Sequence, residues 1–138
     1  MTISWDPTLE LGVPDLDRGH KEFFARVDNL VHAIRGGFSR DEVGRTLAFL
    51  GSYAATHFAA EEALMRAVEF PGLAKHQSEH AGFARDMAAL KAEYQRDGAS
   101  PSLILRVNVQ LSGWLREHIC RTDRELAAFL REGQNSAR

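Results

Sequence analysis

Residues 57–80 read HFAAEEALMRAVEFPGLAKHQSEH, and two features of that stretch decide the fold. His57, Glu61, Leu64 and Val68 recur at helical spacing up to the break Phe70-Pro71-Gly72; Leu73, His76, His80 and Phe83 resume the pattern beyond it. Histidine and glutamate therefore stand where an amphipathic helix calls for apolar core residues, on both sides of one turn. Such groups are costly to bury without partners, so they are expected to meet across a helical hairpin.

The pattern extends in both directions. Breaks at Gly36-Gly37-Phe38-Ser39 and Asp97-Gly98-Ala99-Ser100-Pro101 complete the division into four helical segments. The first runs from about Asp17 to Arg35, with Leu16, Phe23, Phe24, Val27, Leu30, Val31 and Ile34 as its stripe. Ser39 opens the second and forms an S-x-x-E capping box with Glu42; Val43, Leu47, Leu50 and Ala54 precede His57 on its stripe. The third, from about Gly72 to Arg96, continues through Met87, Leu90 and Tyr94. Ser100 and Pro101 cap the fourth, which carries Ile104, Val107, Leu111, Trp114, Leu115, His118 and Ile119 and ends near Gly133. Nothing alternates with period two. The expected fold is all-α: an antiparallel up-down-up-down four-helix bundle over residues 17–138, with residues 1–16 as an irregular N-terminal arm of the same domain.

Composition agrees and excludes several functions. The 138 residues are 44% hydrophobic and 26% charged, with a net charge of −2, enough for one core and no more. No block of basic residues offers a nucleic-acid footprint. Apolar runs fall far short of the ~20 residues a membrane span needs, and the N-terminus shows no secretory signal. Cys120 is the single cysteine, which fits a reducing cytoplasm.

The helix heights sharpen the picture. At ~1.5 Å per residue, His20, 15 residues before Arg35, is level with His57, 17 after Arg40. Glu61 and His76 flank the second break, while His80, 16 before Arg96, is level with His118, 17 after Pro101. An antiparallel bundle brings all six to one height. Asp123 is the further acid available on the fourth helix, giving a metal-ligand set of His20, His57, Glu61, His76, His80, His118 and Asp123. Seven ligands exceed the four that one zinc uses and suit two six-coordinate ions with mixed nitrogen and oxygen ligands, iron above all. Two octahedral ions offer twelve positions; five histidines, two carboxylates if both bridge, and a bridging oxygen fill eleven. One position stays open, room for a small diatomic bound to one metal. Glu-x-x-His pairs, which mark the oxidative di-iron bundles, are absent here, so reversible binding is favoured over oxygen cleavage.

One spacing conflicts with a regular helix. Five residues at ~100° each carry Asp123 about 140° round from His118, and the apolar stripe shifts in the same stretch, to Ile119, Leu126 and Leu130. A π-bulge between His118 and Asp123 is therefore predicted. His32, twelve residues beyond His20, has no partner at its height and is expected on the surface.

The motifs His57-x3-Glu61, His76-x3-His80 and His118-x4-Asp123, together with Trp5, Leu11-Gly12-Val13 and Asp17-Arg18-Gly19-His20, resemble the bacteriohemerythrins, the single-domain bacterial hemerythrins. The resemblance covers essentially the whole chain. It implies two non-haem iron ions with a bridging oxo or hydroxo group, binding O2 reversibly; NO or other small anions could take the same open position. It assigns His76, His80 and His118 to one iron, His20 and His57 to the other, and Glu61 and Asp123 to the bridges. Phe24, Trp114, Leu115 and Ile119 would line the O2 pocket. The expected function is oxygen storage or delivery to an oxygen-consuming partner, by a cytoplasmic monomer that is not an enzyme. The alternatives are a sensor of O2, NO or redox state, and a di-iron enzyme acting on peroxide or NO.

Overall fold

A computed structural model describes residues 5–37 and 39–136. Residues 1–4 of the expected arm, and Phe38 in the first break, lie outside them. Among the described residues the chain is helical, with no strand. A 3₁₀ turn (Pro7–Leu9) precedes α1 (Pro14–Arg35), α2 (Arg40–Ala67) and α3 (Leu73–Asp97). The fourth helical stretch is composite: α4 (Pro101–Arg106), a π-segment (Val107–Leu111), α5 (Ser112–Glu117), a second π-segment (His118–Asp123) and α6 (Arg124–Ser136). Backbone angles at all four joints stay in the right-handed helical region, so these five pieces make one continuous rod.

The helix starts follow local chemistry. Ser39 Oγ accepts from Glu42 N–H at 3.2 Å and Ser100 Oγ from Leu103 N–H at 3.0 Å, as their spacing predicts. The first start differs from expectation: α1 begins at Pro14, three residues before Asp17. Proline is well suited to a first helical turn because its missing N–H is not needed there. Asp17 is thus inside the helix, and its buried carboxylate accepts from the backbone N–H of Leu11 at 2.8 Å and Gly12 at 3.2 Å. The last helix also runs past Gly133, to Ser136.

Contacts between helices fix their levels. Tyr53 of α2 donates to Gly19 O of α1; Glu62 of α2 meets His80 of α3. On the fourth helix, Arg106 pairs with Glu93, Trp114 packs on Phe83, and His118 meets Glu79. Between α3 and the fourth helix, residue numbers thus rise on one as they fall on the other. Leu9 and Leu11, ahead of α1, are fully buried, and Arg131 of α6 donates to Leu11 O.

The core contains the expected α1 stripe entire. On α2, Phe58 and Met65 are buried, while Leu64 and Val68 are only half-buried, a small rotation of the predicted stripe. His32 is surface-exposed beside Asp28, as expected, and Cys120 is half-buried and free.

Asp17→Ala removes the acceptor shared by Leu11 and Gly12. The expected cost is about 1–3 kcal/mol, the usual penalty for unsatisfied buried donors. A urea unfolding curve measures it, and faster proteolysis within residues 5–13 locates it.

Candidate metal centre

All seven sequence-predicted ligand residues converge at one level of the helices, and six of them are buried to 3% exposure or less. His57 is the exception, its side chain 11% exposed. Two overlapping groups have the spacing to hold a metal ion: Glu61 with His76, His80 and His118, and Glu61 with His20 and His57. Within each, ligand atoms lie within 4.8 Å of one another.

The two carboxylates divide their oxygens between these groups. Glu61 Oε1 lies 2.8 Å from His76 Nε2 and 3.8 Å from His80 Nε2, while its Oε2 lies 2.8 Å from His57 Nε2. Asp123 Oδ1 lies 3.0 Å from His76 Nε2 and 3.3 Å from His118 Nε2, and its Oδ2 lies 2.9 Å from His20 Nε2. Both oxygens of both acids, and both ring nitrogens of His20 and His76, are nevertheless buried without a hydrogen-bond partner. Buried polar atoms in native proteins are ordinarily satisfied. Nitrogen and oxygen atoms this close that make no hydrogen bond to one another are the mixed donor set that a metal cation takes.

The second π-segment makes this possible. With i→i+5 bonding, His118 and Asp123 reach the same side of the rod, and the predicted irregularity is found where the spacing required it. The first π-segment had no counterpart in the sequence reading.

Electrostatics follow from the crowding. Burial works against charge on His76, yet the Asp123 and Glu61 carboxylates outweigh it and hold the imidazole up to about 9. Burial likewise opposes a charged His118, and Asp123 again prevails, raising it. Burial dominates at His80 and lowers it.

Aromatic rings enclose the histidines. Phe58 stacks on His80 at 3.9 Å between centroids, Trp114 on His118 at 4.5 Å, and Tyr53 on His57 at 5.9 Å. Of the expected pocket residues, Leu115, Ile119 and Phe24 are buried and Trp114 is half-buried. Phe23, one residue before Phe24, meets the His57 ring at 5.8 Å, and Phe58 meets it at 6.0 Å. The sequence reading did not single out Phe23, Tyr53, Phe58, Glu62, Glu79 or Thr122. Their signal would have been their position one helical turn from a ligand, or beside one.

A model of the hemerythrin HHE cation-binding domain matches residues 11–130. The chain belongs to the hemerythrin family. Among its relatives is a bacteriohemerythrin of Ralstonia nicotianae, 30% identical over 138 residues, covering 99% of this chain and 94% of the relative. Another, from Stenotrophomonas maltophilia, is 28% identical over 125 residues, covering 91% and 79%. A crystal structure of a leucine-to-phenylalanine mutant superposes with a TM-score of 0.79 at 25% identity, covering 94% of this chain and 98% of the other.

Gly19 shows how closely α1 and α2 approach in this hemerythrin-family chain. A Cβ there would lie 2.6 Å from His57 Cε1 and 2.8 Å from its Nδ1, inside van der Waals contact. Gly19→Ala should displace His57 while leaving the helices formed, so the variant is expected to bind less metal than the parent with unchanged circular dichroism, since packed interiors yield little.

Ligating imidazoles must be neutral, so metal uptake at pH 7 should release about one proton or more per chain, most of it from His76. Apparent affinity should fall as pH drops from 9 toward 6. An indicator dye in weakly buffered solution measures the release.

Proposed function

We propose that the chain binds O2 reversibly at a two-iron centre, for storage or for delivery to an oxygen-consuming partner. One observation carries the reading: Glu61 and Asp123 each present one oxygen to a three-histidine group and the other to a two-histidine group. In this reading His76, His80 and His118 would hold one ion and His20 and His57 the other, with Glu61 and Asp123 offering an oxygen to each. Five neutral imidazoles and two carboxylates fit a pair of ferrous ions better than a single structural zinc. When bound, such a pair would supply the two electrons that reversible O2 binding requires.

The protein's part is to hold that pair in a dry place. The unequal histidine count would leave room for a small ligand on the His20–His57 side. Phe24, Leu115 and Ile119, all buried, keep water from the site, and Trp114 covers the His118 ring. Water exclusion slows loss of bound ligand and irreversible oxidation. The apolar character of these neighbours supports binding rather than turnover, so the chain is read as a carrier and not an enzyme. The antiparallel up-down-up-down bundle, a monomeric state and a cytoplasmic location complete the proposal. Among the described residues no helix is long and apolar enough to cross a membrane.

The test loads apoprotein with ferrous iron without oxygen, admits air, and cycles between air and argon while the visible spectrum is followed. Uptake of about two irons per chain and a charge-transfer band that vanishes under argon are expected. A band that never forms, or a change that argon does not reverse, would overturn the carrier reading in favour of redox sensing or catalysis.

A further inference from the structure

Two carboxylates outside the ligand set stand behind two of the histidines. Glu62 Oε2 lies 3.1 Å from His80 Nδ1, and Glu79 Oε1 lies 3.1 Å from His118 Nδ1. Thr122 Oγ1 donates to both Glu79 oxygens, at 2.7 and 2.9 Å, which fixes that carboxylate in place. Thr122 itself sits in the second π-segment, between His118 and Asp123.

A carboxylate at Nδ1 takes the ring N–H and leaves Nε2 as a bare lone pair. The Nε2 atoms of His80 and His118 lie 3.2 Å apart. With both ring protons committed outward to Glu62 and Glu79, neither Nε2 can donate to the other. Two neutral rings then turn lone pairs toward each other in a buried site, a donor pair that a shared proton or a metal cation relieves. Neither histidine of the two-histidine side has a carboxylate at Nδ1 among these contacts, whereas two of the three on the other side do, His76 being the exception: His20 Nδ1 and His76 Nδ1 are buried with no hydrogen-bond partner, and His57 is set by the Tyr53 ring and the close Gly19 backbone.

We infer that Glu62 and Glu79, the latter braced by Thr122, are positioning residues that preset His80 and His118, so that the three-histidine position takes its metal more tightly than the His20–His57 position. The inference rests on the two-ion reading above. The two carboxylates are 20% and 29% exposed against almost fully buried histidines, so removing either also strands a buried donor and costs some folding stability. What is specific to the metal is a difference between the two binding steps.

Cobalt(II) titration of the apoprotein against a competing chelator, followed by visible absorption, tests this. The parent should fill in two steps of distinct affinity. Glu62→Ala and Glu79→Ala should each weaken the tighter step by about 10–100-fold, the usual consequence of removing a ligand's supporting partner. The weaker step should hold. Glu79→Gln, which keeps an acceptor oxygen, should fall between; Thr122→Ser should match the parent and Thr122→Val should not. Unchanged titrations in both alanine variants, or equal weakening of both steps with a lowered melting temperature, would overturn the inference. A parent that binds fewer than two ions would overturn the two-ion reading, and this inference with it.

Discussion

Two carboxylates and five imidazoles packed into the dry middle of a helical protein cannot satisfy one another by hydrogen bonds alone. Glu61 and Asp123 are almost completely buried, and every one of their oxygens lacks a hydrogen-bond partner although imidazole nitrogens stand 2.8–3.3 Å away. Leaving such groups unpaired costs more than apolar residues in the same positions would gain. The arrangement makes sense only around positive charge, and the remaining features serve to keep it in register. Helix starts at Ser39 and Ser100 set the heights, Gly19 permits close approach of α1 and α2, and the second π-segment delivers Asp123.

Much of this is legible in the sequence because each ligand replaces a residue that the helical pattern wants apolar. A histidine on a stripe declares both its helix and its face, and distances to Gly/Pro breaks give its height. Even the failure of the pattern is informative: the five-residue step from His118 to Asp123 cannot be made on one face of an α-helix, and the structure meets it with i→i+5 bonding. Other features leave no such mark. Val107–Leu111 is also π-helical, but Val107 and Leu111 are ordinary core residues with no second requirement to betray the irregularity. Pro14 looks like a loop residue until its place in the first turn is seen. Glu62 and Glu79 occupy partly buried positions beside ligands, where a charged side chain goes unremarked in the sequence, and their meaning depends on which ring nitrogen they meet across a helix boundary.

The ring stacking has a similar logic. Phe58, Trp114 and Tyr53 each lie flat against a different histidine. Flat contact covers the imidazole face and leaves the in-plane nitrogens free to point at the centre or at a carboxylate. Aromatic bulk therefore orients the rings and dries their surroundings at once. His57, with the longest stacking distance and some exposure, is the least enclosed of the five.

The second π-segment has an effect beyond the centre itself. Leu126 and Ala127 follow it and are fully buried, although they lie out of phase with the stripe that runs up to His118 on an unbroken α-helix. The surplus residue in that turn is thus a phase shift serving two clients, the ligand Asp123 and the apolar seam of α6. Losing one residue there would rotate both away together, and regaining either by substitution nearby would leave the other misplaced. The turn is held by two independent requirements, so insertions and deletions that other stretches of a surface helix absorb are closed to it.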